Sequence, residues 1–237
     1  MSLYLALDTA TDLGSVALGE PGVVLHEIAI PPRRHAAEVM PAVVAVLGRA
    51  DRSWADVAGV VLADGPGSFT GLRIGLGTVK GLLAAWPHLT LHTVPSLLGA
   101  AWSARHLADT VAALYDALRG DVFAGVYAFP EGRVHTVVRP LLVGVSELAR
   151  LPAPGVALGD GALAHAGPVR TWCGREPLPL AEGAPRAGAL LELMAAPGAA
   201  TLVDDVDRFE PAYGRRAAAQ DRWEEKHGRA LPDPTGR

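Results

Sequence analysis

The chain has 237 residues, half of them hydrophobic, and a formal net charge of −4. That length buries a sizeable core in one large domain or two small ones, and the acidic balance argues against autonomous binding to nucleic acid, which draws on a basic excess. There is no run of 18 apolar residues and no charged segment leading into an apolar one at the start, so neither a membrane span nor a secretory signal is expected; the single cysteine, Cys173, suits a reducing compartment, and the expected location is cytoplasmic.

In chain order, Leu3–Asp8, Ser15–Leu18 and Val23–Ile30 are apolar runs separated by glycine-containing turns, which predicts a three-strand meander. His35–Gly48 is apolar almost all round, unlike a one-sided surface helix; Pro41 removes a backbone donor there, so a regular helix is expected from about Ala37, or a kink. Gly59–Ala63 reads as a short buried strand. Ser68 offers a capping oxygen to a helix running from about Phe69 to Trp86. Leu89–Val94 then reads as strand and Ser96–His106 as helix, which completes an α/β half-domain over residues 1–106.

The pattern then restarts. Val111–Asp116 (VAALYD) parallels Leu3–Asp8 (LYLALD), each an apolar strand closing on Asp and followed by a glycine turn and a second apolar strand. Duplication of one α/β unit produces this arrangement. The second half-domain is placed at 107–215, with strands at Val134–Val143 and Val156–Gly159, a short helix at Arg186–Ala195 and long loops over Leu151–Pro185. Residues 216–237 are expected to be a charged, partly disordered tail.

The stretch Ala63–Leu82 holds six glycines. It fails the Walker pattern, since Lys80 lies between Val79 and Gly81. It also fails the dinucleotide pattern, since Thr70 stands where a third glycine is needed. Gly71, Gly75, Gly77 and Gly81 fall inside the predicted helix, at a cost of roughly 4 kcal/mol relative to alanine. The pairs Gly71/Gly75 and Gly77/Gly81 are each four apart, so two smooth patches let another backbone approach, from within the domain or from a partner. Phosphate contact at Asp64–Ser68 stays open, because amides at a helix start attract anions. No Gly-x-Ser-x-Gly elbow surrounds Ser68. His88 and His92 lie on a predicted strand, about 13 Å apart and too far to share one metal. His35, beside Arg33 and Arg34, reads as a solvated helix entry.

Asp8-Thr9-Ala10-Thr11 has the look of an enzyme loop: an acid at a strand end followed by hydroxyl residues can hold Mg²⁺ and a nucleotide phosphate. Such loops want glycine next to the acid, where this chain has Thr9 and Ala10, and Asp116 has no hydroxyl neighbour. Asp8, Thr9 and Asp116 are therefore vestigial candidates for a nucleotide site. The alternative is a nucleotide-dependent, kinase-like enzyme using Asp8 and Asp116 with Mg²⁺.

Three blocks then carry a resemblance: Leu5–Thr11 (LALDTAT), Gly65–Gly75 (GPGSFTGLRIG) and Phe209–Arg215 (FEPAYGR). With Asp116–Phe123 (DALRGDVF) as an altered form of a fourth, the chain resembles the TsaB (YeaZ) family from residue 3 to about 215. The resemblance implies a duplicated actin/Hsp70/sugar-kinase-like (ribonuclease H-like) α/β fold. It implies a non-catalytic subunit without cofactor or metal that binds a TsaD-like subunit, with a TsaE-like ATPase joining the pair, and that meets tRNA only through the complex. TsaD-like chains carry a His-x-x-x-His metal pair on the helix where this chain has Ser96 and Ala100. The family resemblance also implies a partner surface on the two helices flanking the Gly-Pro-Gly block. The contact candidates are Met40, Val43, Val44, Leu47, Leu72, Gly75, Leu76 and Val79, and a homodimer through the same surface is expected in isolation. Gly75→Arg is expected to abolish binding while leaving the chain folded. Gly214, where the family usually has Leu, is the departure in the last block.

Overall fold

The computed structural model of the protein describes residues 2–180, 184, 186–214 and 226–228, and in it the chain forms two mixed sheets. In the first, β1 (Leu3–Asp8), β2 (Gly14–Glu20) and β3 (Val23–Ile30) make an antiparallel meander, while β4 (Val57–Ala63) and β5 (Thr90–Val94) add in parallel on the other side of β1. In the second, β6 (Thr110–Asp116), β7 (Asp121–Ala128) and β8 (His135–Gly144) repeat the meander, and β9 (Val156–Leu158) adds parallel to β6. Asp8 and Asp116 close the equivalent central strands. The duplication expected from LYLALD and VAALYD is thus a duplication of topology, in the α/β fold predicted.

β1 is apolar throughout because it is covered on both faces. On one face Leu5, Leu7, Val16 and Leu18 pack against Val39, Val43, Val46 and Leu47 of α1 (His35–Arg49) and Leu76, Val79 and Leu82 of α2 (Phe69–Ala85). On the other, Ala6, Ala17 and Val61 join Leu97 and Ala101 of α3 (Ser96–Ser103) and, without a break, Val111, Ala113 and Tyr115 of β6. One hydrophobic core therefore runs across the seam between the two sheets.

Several elements depart from expectation. α1 begins at His35, two residues before Ala37, and runs through Pro41; that proline is exposed, so its missing donor costs one intrahelical bond and no packing. The stretch read as long loops holds α4 (Asp160–Ala164) and α5 (Ala166–Cys173), the latter closed by Gly174 at φ 75°. The segment after Arg186, assigned by sequence to the second half, returns to the first sheet. α6 (Ala187–Met194) buries Leu190, Leu191 and Leu193 in the seam core, and β10 (Thr201–Leu202) pairs with β5. The start of α6 is pinned by Glu27 of β3. Its carboxylate accepts from the Gly188 amide at 3.2 Å, from the Ser15 hydroxyl at 3.0 Å and from Arg186 at 3.1 Å, while the Ser15 hydroxyl accepts from the Ala187 amide at 2.7 Å. Beyond β10 the chain crosses α2, where Lys80 donates to the Asp207 carbonyl, and reaches Asp64, whose carbonyl accepts from the Ala212 amide.

No helix among the described residues is long and apolar enough to cross a membrane. The tail expected over 216–237 lies outside the described residues apart from Lys226–Gly228.

Candidate functional site

The Asp8 turn and the Gly-Pro-Gly block fold onto one another. Ser68 caps α2, its hydroxyl accepting from the Gly71 amide at 3.2 Å, and its own amide donates to the Ala10 carbonyl at 2.6 Å. A Cβ on Gly67 would strike that same Ala10 carbonyl; one on Gly71 would strike the Thr9 carbonyl; and one on Gly75 would come 2.5 Å from the Thr9 hydroxyl and 3.1 Å from Leu62. On the other side of the loop, a Cβ on Gly65, at φ 110°, would strike the Ala212 carbonyl. These glycines serve close packing within the chain. The Gly65 amide donates to the Ser96 hydroxyl at 2.8 Å, so with Ser68 and Gly71 three amides of the loop are already engaged and are not offered to an anion.

Asp8, Thr9 and Ala10 are fully buried beneath this loop. The Asp8 carboxylate accepts from the Ala10 amide at 3.0 Å through one oxygen, and its other oxygen has no hydrogen-bond partner among the described residues. Burial pushes the carboxyl up to about 7, against the lowering effect of the Ala10 amide, with the Glu27 charge adding a smaller rise. The Thr9 hydroxyl donates to the Gly71 carbonyl at 2.8 Å. Neither side chain of this pair faces open space. His35, expected to be solvated, is also buried: its Nε2 lies 2.7 Å from the Thr11 carbonyl. A carbonyl only accepts, so Nε2 carries a proton, while the buried Nδ1 has no hydrogen-bond partner among the described residues.

The second acid differs. Asp116 is partly exposed; one oxygen accepts from the Leu118 amide at 2.9 Å and lies 3.6 Å from His165 Nε2. Beside it, Asp160 accepts from the Asp116 and Gly161 amides. Burial raises the Asp160 carboxyl above the usual range; those two amides oppose the rise, and the charges of Asp116 and Asp12 add to it. The structure thus brings Asp160 beside Asp116, a neighbour absent from the sequence reading. Tyr115 fills the seam between the acid turns. Its hydroxyl donates to the Ser96 carbonyl at 3.2 Å, and burial followed by the Asp8 and Asp160 charges holds its proton well above the ordinary range.

Ser96 and Ala100, at the places of the histidine pair, are buried, and Ser96 is spent on Gly65 and Tyr115. Of the two histidines expected on one strand, His92 lies on β5 and His88 in the turn before it; His88 reaches the Trp54 and Val57 carbonyls, and the His92 and Tyr4 rings meet at a T-shaped angle. Gly214 has a physical reason, since at φ 69° a Cβ would lie 2.7 Å from Phe123 and 2.8 Å from Pro66.

The eight contact candidates divide. Val43, Leu47, Leu72, Gly75, Leu76 and Val79 are buried in the chain's own core and cannot line a surface. Met40 and Val44 are outside, 42% and 63% exposed. With Gly48 they form a stripe four residues apart on α1. On α2, which packs against α1, Arg73, Gly77 and Gly81 form an exposed stripe of the same spacing, and a Cβ at Gly48, Gly77 or Gly81 would meet nothing within 4 Å among the described residues. Apart from the Arg73 guanidinium, which lies over the Phe69 ring, the two stripes carry apolar side chains and glycines, and the glycine pair exposed on α2 is Gly77/Gly81.

Residues 22–176 match the sequence model of the TsaD family, tRNA N6-adenosine threonylcarbamoyltransferase. The tRNA threonylcarbamoyladenosine biosynthesis protein TsaB of Bacillus subtilis is 31% identical over 227 residues, covering 92% of this chain and 96% of that protein. The protein of the same name in Escherichia coli is 33% identical over 165 residues, 66% of this chain and 71% of that one. Among solved structures, YeaZ from Pseudomonas aeruginosa superposes with a TM-score of 0.72 at 28% identity, over 89% of this chain and all of that one. This chain belongs to the TsaB (YeaZ) family of tRNA threonylcarbamoyladenosine biosynthesis proteins.

Proposed function

We propose that this protein is a non-catalytic, cytoplasmic subunit that docks a TsaD-like threonylcarbamoyltransferase through the outer face of α1 and α2, with a TsaE-like ATPase joining the pair and tRNA met only through the complex. The observation that carries the reading is the pair of exposed stripes, Met40–Val44–Gly48 and Arg73–Gly77–Gly81, on helices whose inner faces pack into the core. Exposed apolar side chains and glycines that no other described residue covers fit a second pair of helices packed at close range. Without that partner, two copies pair through the same face, so homodimer and heterodimer compete.

The kinase-like alternative needs Asp8 within reach of Mg²⁺ and phosphate. Burial of the Asp8 turn under α2, and the continuous core across the seam, speak against it. The test is calorimetric titration of the protein with a TsaD-like subunit from the same source, beside a titration with ATP·Mg²⁺. Binding of the subunit without binding of nucleotide is expected; the reverse would overturn the proposal.

A further inference from the structure

The two helices of the outer face do not only lean on each other; both are anchored at the same short turn. α1 is anchored at its first residue, where the buried His35 ring donates through Nε2 to the Thr11 carbonyl at 2.7 Å. The ring is seated against Gly14, where a Cβ would come 2.8 Å from His35 Cε1 and 2.7 Å from the Asp8 carbonyl. α2 is anchored in its first turn, where the Thr9 hydroxyl donates to the Gly71 carbonyl at 2.8 Å and the Ser68 amide donates to the Ala10 carbonyl at 2.6 Å. The turn itself is held stiff: the Thr11 hydroxyl donates to the Leu13 carbonyl, the Leu13 amide donates back to the Thr11 hydroxyl, and the Asp8 carboxylate closes on the Ala10 amide. Thr9 and Thr11, two residues apart, therefore fix where two helices sit. A close-packed interior passes a displacement at such a point along the elements attached to it.

We propose that Thr9 and His35 are positioning residues for partner docking: through Gly71 and Thr11 they set the separation of α1 and α2, and so the shape of the outer face, without touching the partner. This inference rests on the docking reading above. It assigns a task to the turn that resembles a nucleotide loop, and it explains why three glycines of α2 and its approach, Gly67, Gly71 and Gly75, are laid against Thr9 and Ala10.

The test pairs a distance with an affinity. For the distance, nitroxide labels go on Gly48→Cys and Gly81→Cys, both sites where a Cβ meets no described residue within 4 Å, in a Cys173→Ser background, and are read by double electron–electron resonance. For the affinity, unlabelled protein is titrated with the TsaD-like subunit. Thr9→Val, which keeps the shape and loses the donor, is expected to shift or broaden the distance distribution and to weaken docking about tenfold or more. Thr9→Ser, which keeps the donor, is expected to restore both. His35→Gln and His35→Leu form a second pair of the same logic, should the valine variant fail to fold. An unchanged distance distribution and affinity in folded Thr9→Val and His35→Leu would overturn the inference. Wild-type protein that does not bind the subunit would overturn the docking reading instead, and the distances in the same variants would still judge whether the turn sets the helices.

Discussion

Gly75 of α2 lies against Thr9 of the β1–β2 turn so closely that a Cβ would sit 2.5 Å from the threonine hydroxyl. At Gly77, two residues on, the same Cβ would meet no atom of the described residues within 4 Å. Gly75→Ala is therefore expected to destabilise the protein by about 1–3 kcal/mol, the usual effect of overpacking. Gly77→Ala is expected to stabilise it by up to about 1 kcal/mol, because helix propensity is gained without a clash. Denaturant unfolding of the two variants checks both signs, and equal effects would contradict the placement. Gly75→Arg belongs with the first variant: it is expected to unfold the protein rather than report on docking.

The buried acid of the same turn makes stability depend on pH. Asp8 is raised by burial to about 7 from an ordinary 3.8, so the folded state holds its proton more tightly than the unfolded chain. Its contribution is fully present below about pH 4 and is lost as pH rises through about 7, an amount on the order of 4 kcal/mol. Asp64, raised by burial to about 6 against the opposing Thr93 hydroxyl, adds a loss of the same sign at slightly lower pH. Asp8→Asn is expected to flatten most of the decline between pH 5 and 8 and leave the part due to Asp64. Thermal unfolding across that range checks it. A decline of unchanged steepness in Asp8→Asn would show that another group carries it.

Glu27 is expected to hold the C-terminal segment on the first sheet. It accepts from the Gly188 amide and from Arg186 at the start of α6, where a carboxylate also meets the positive end of the helix. Glu27→Ala is expected to cost about 1–3 kcal/mol, with the loss concentrated in hydrogen-exchange protection of residues 187–194. Glu27→Gln should retain part of it. Loss spread evenly over the first sheet would contradict a local pin.

Strand positions were legible where apolar runs end on glycine turns, and β1 and β3 occupy the predicted ranges, Leu3–Asp8 and Val23–Ile30. α4 and α5 were hidden because Gly161, Gly167 and Pro168 read as loop, although glycine and proline are tolerable in a first helical turn. The return of the chain through α6 and β10 depends on contacts with β2, β3 and β5, far away in sequence, which no local pattern records. The outer face was half legible. α1 is apolar almost all round, with charge only at its ends in Glu38 and Arg49, so no polar stripe fixes which way it turns, and Val43 and Val44 look alike although one is buried and the other exposed. The two glycine pairs on α2 were visible as separate patches about 120° apart at 3.6 residues per turn. Which of them faces Thr9 is set by the tertiary packing of the Asp8 turn.

The central claim is tested most directly by calorimetric titration of a TsaD-like subunit with Val44→Arg and Gly77→Arg, two variants that alter only exposed positions. Both are expected to unfold within a few degrees of the wild type and to bind at least a hundredfold more weakly, a loss of about 2.7 kcal/mol or more. Folded variants that bind the subunit as the wild type does would contradict docking through the outer face of α1 and α2.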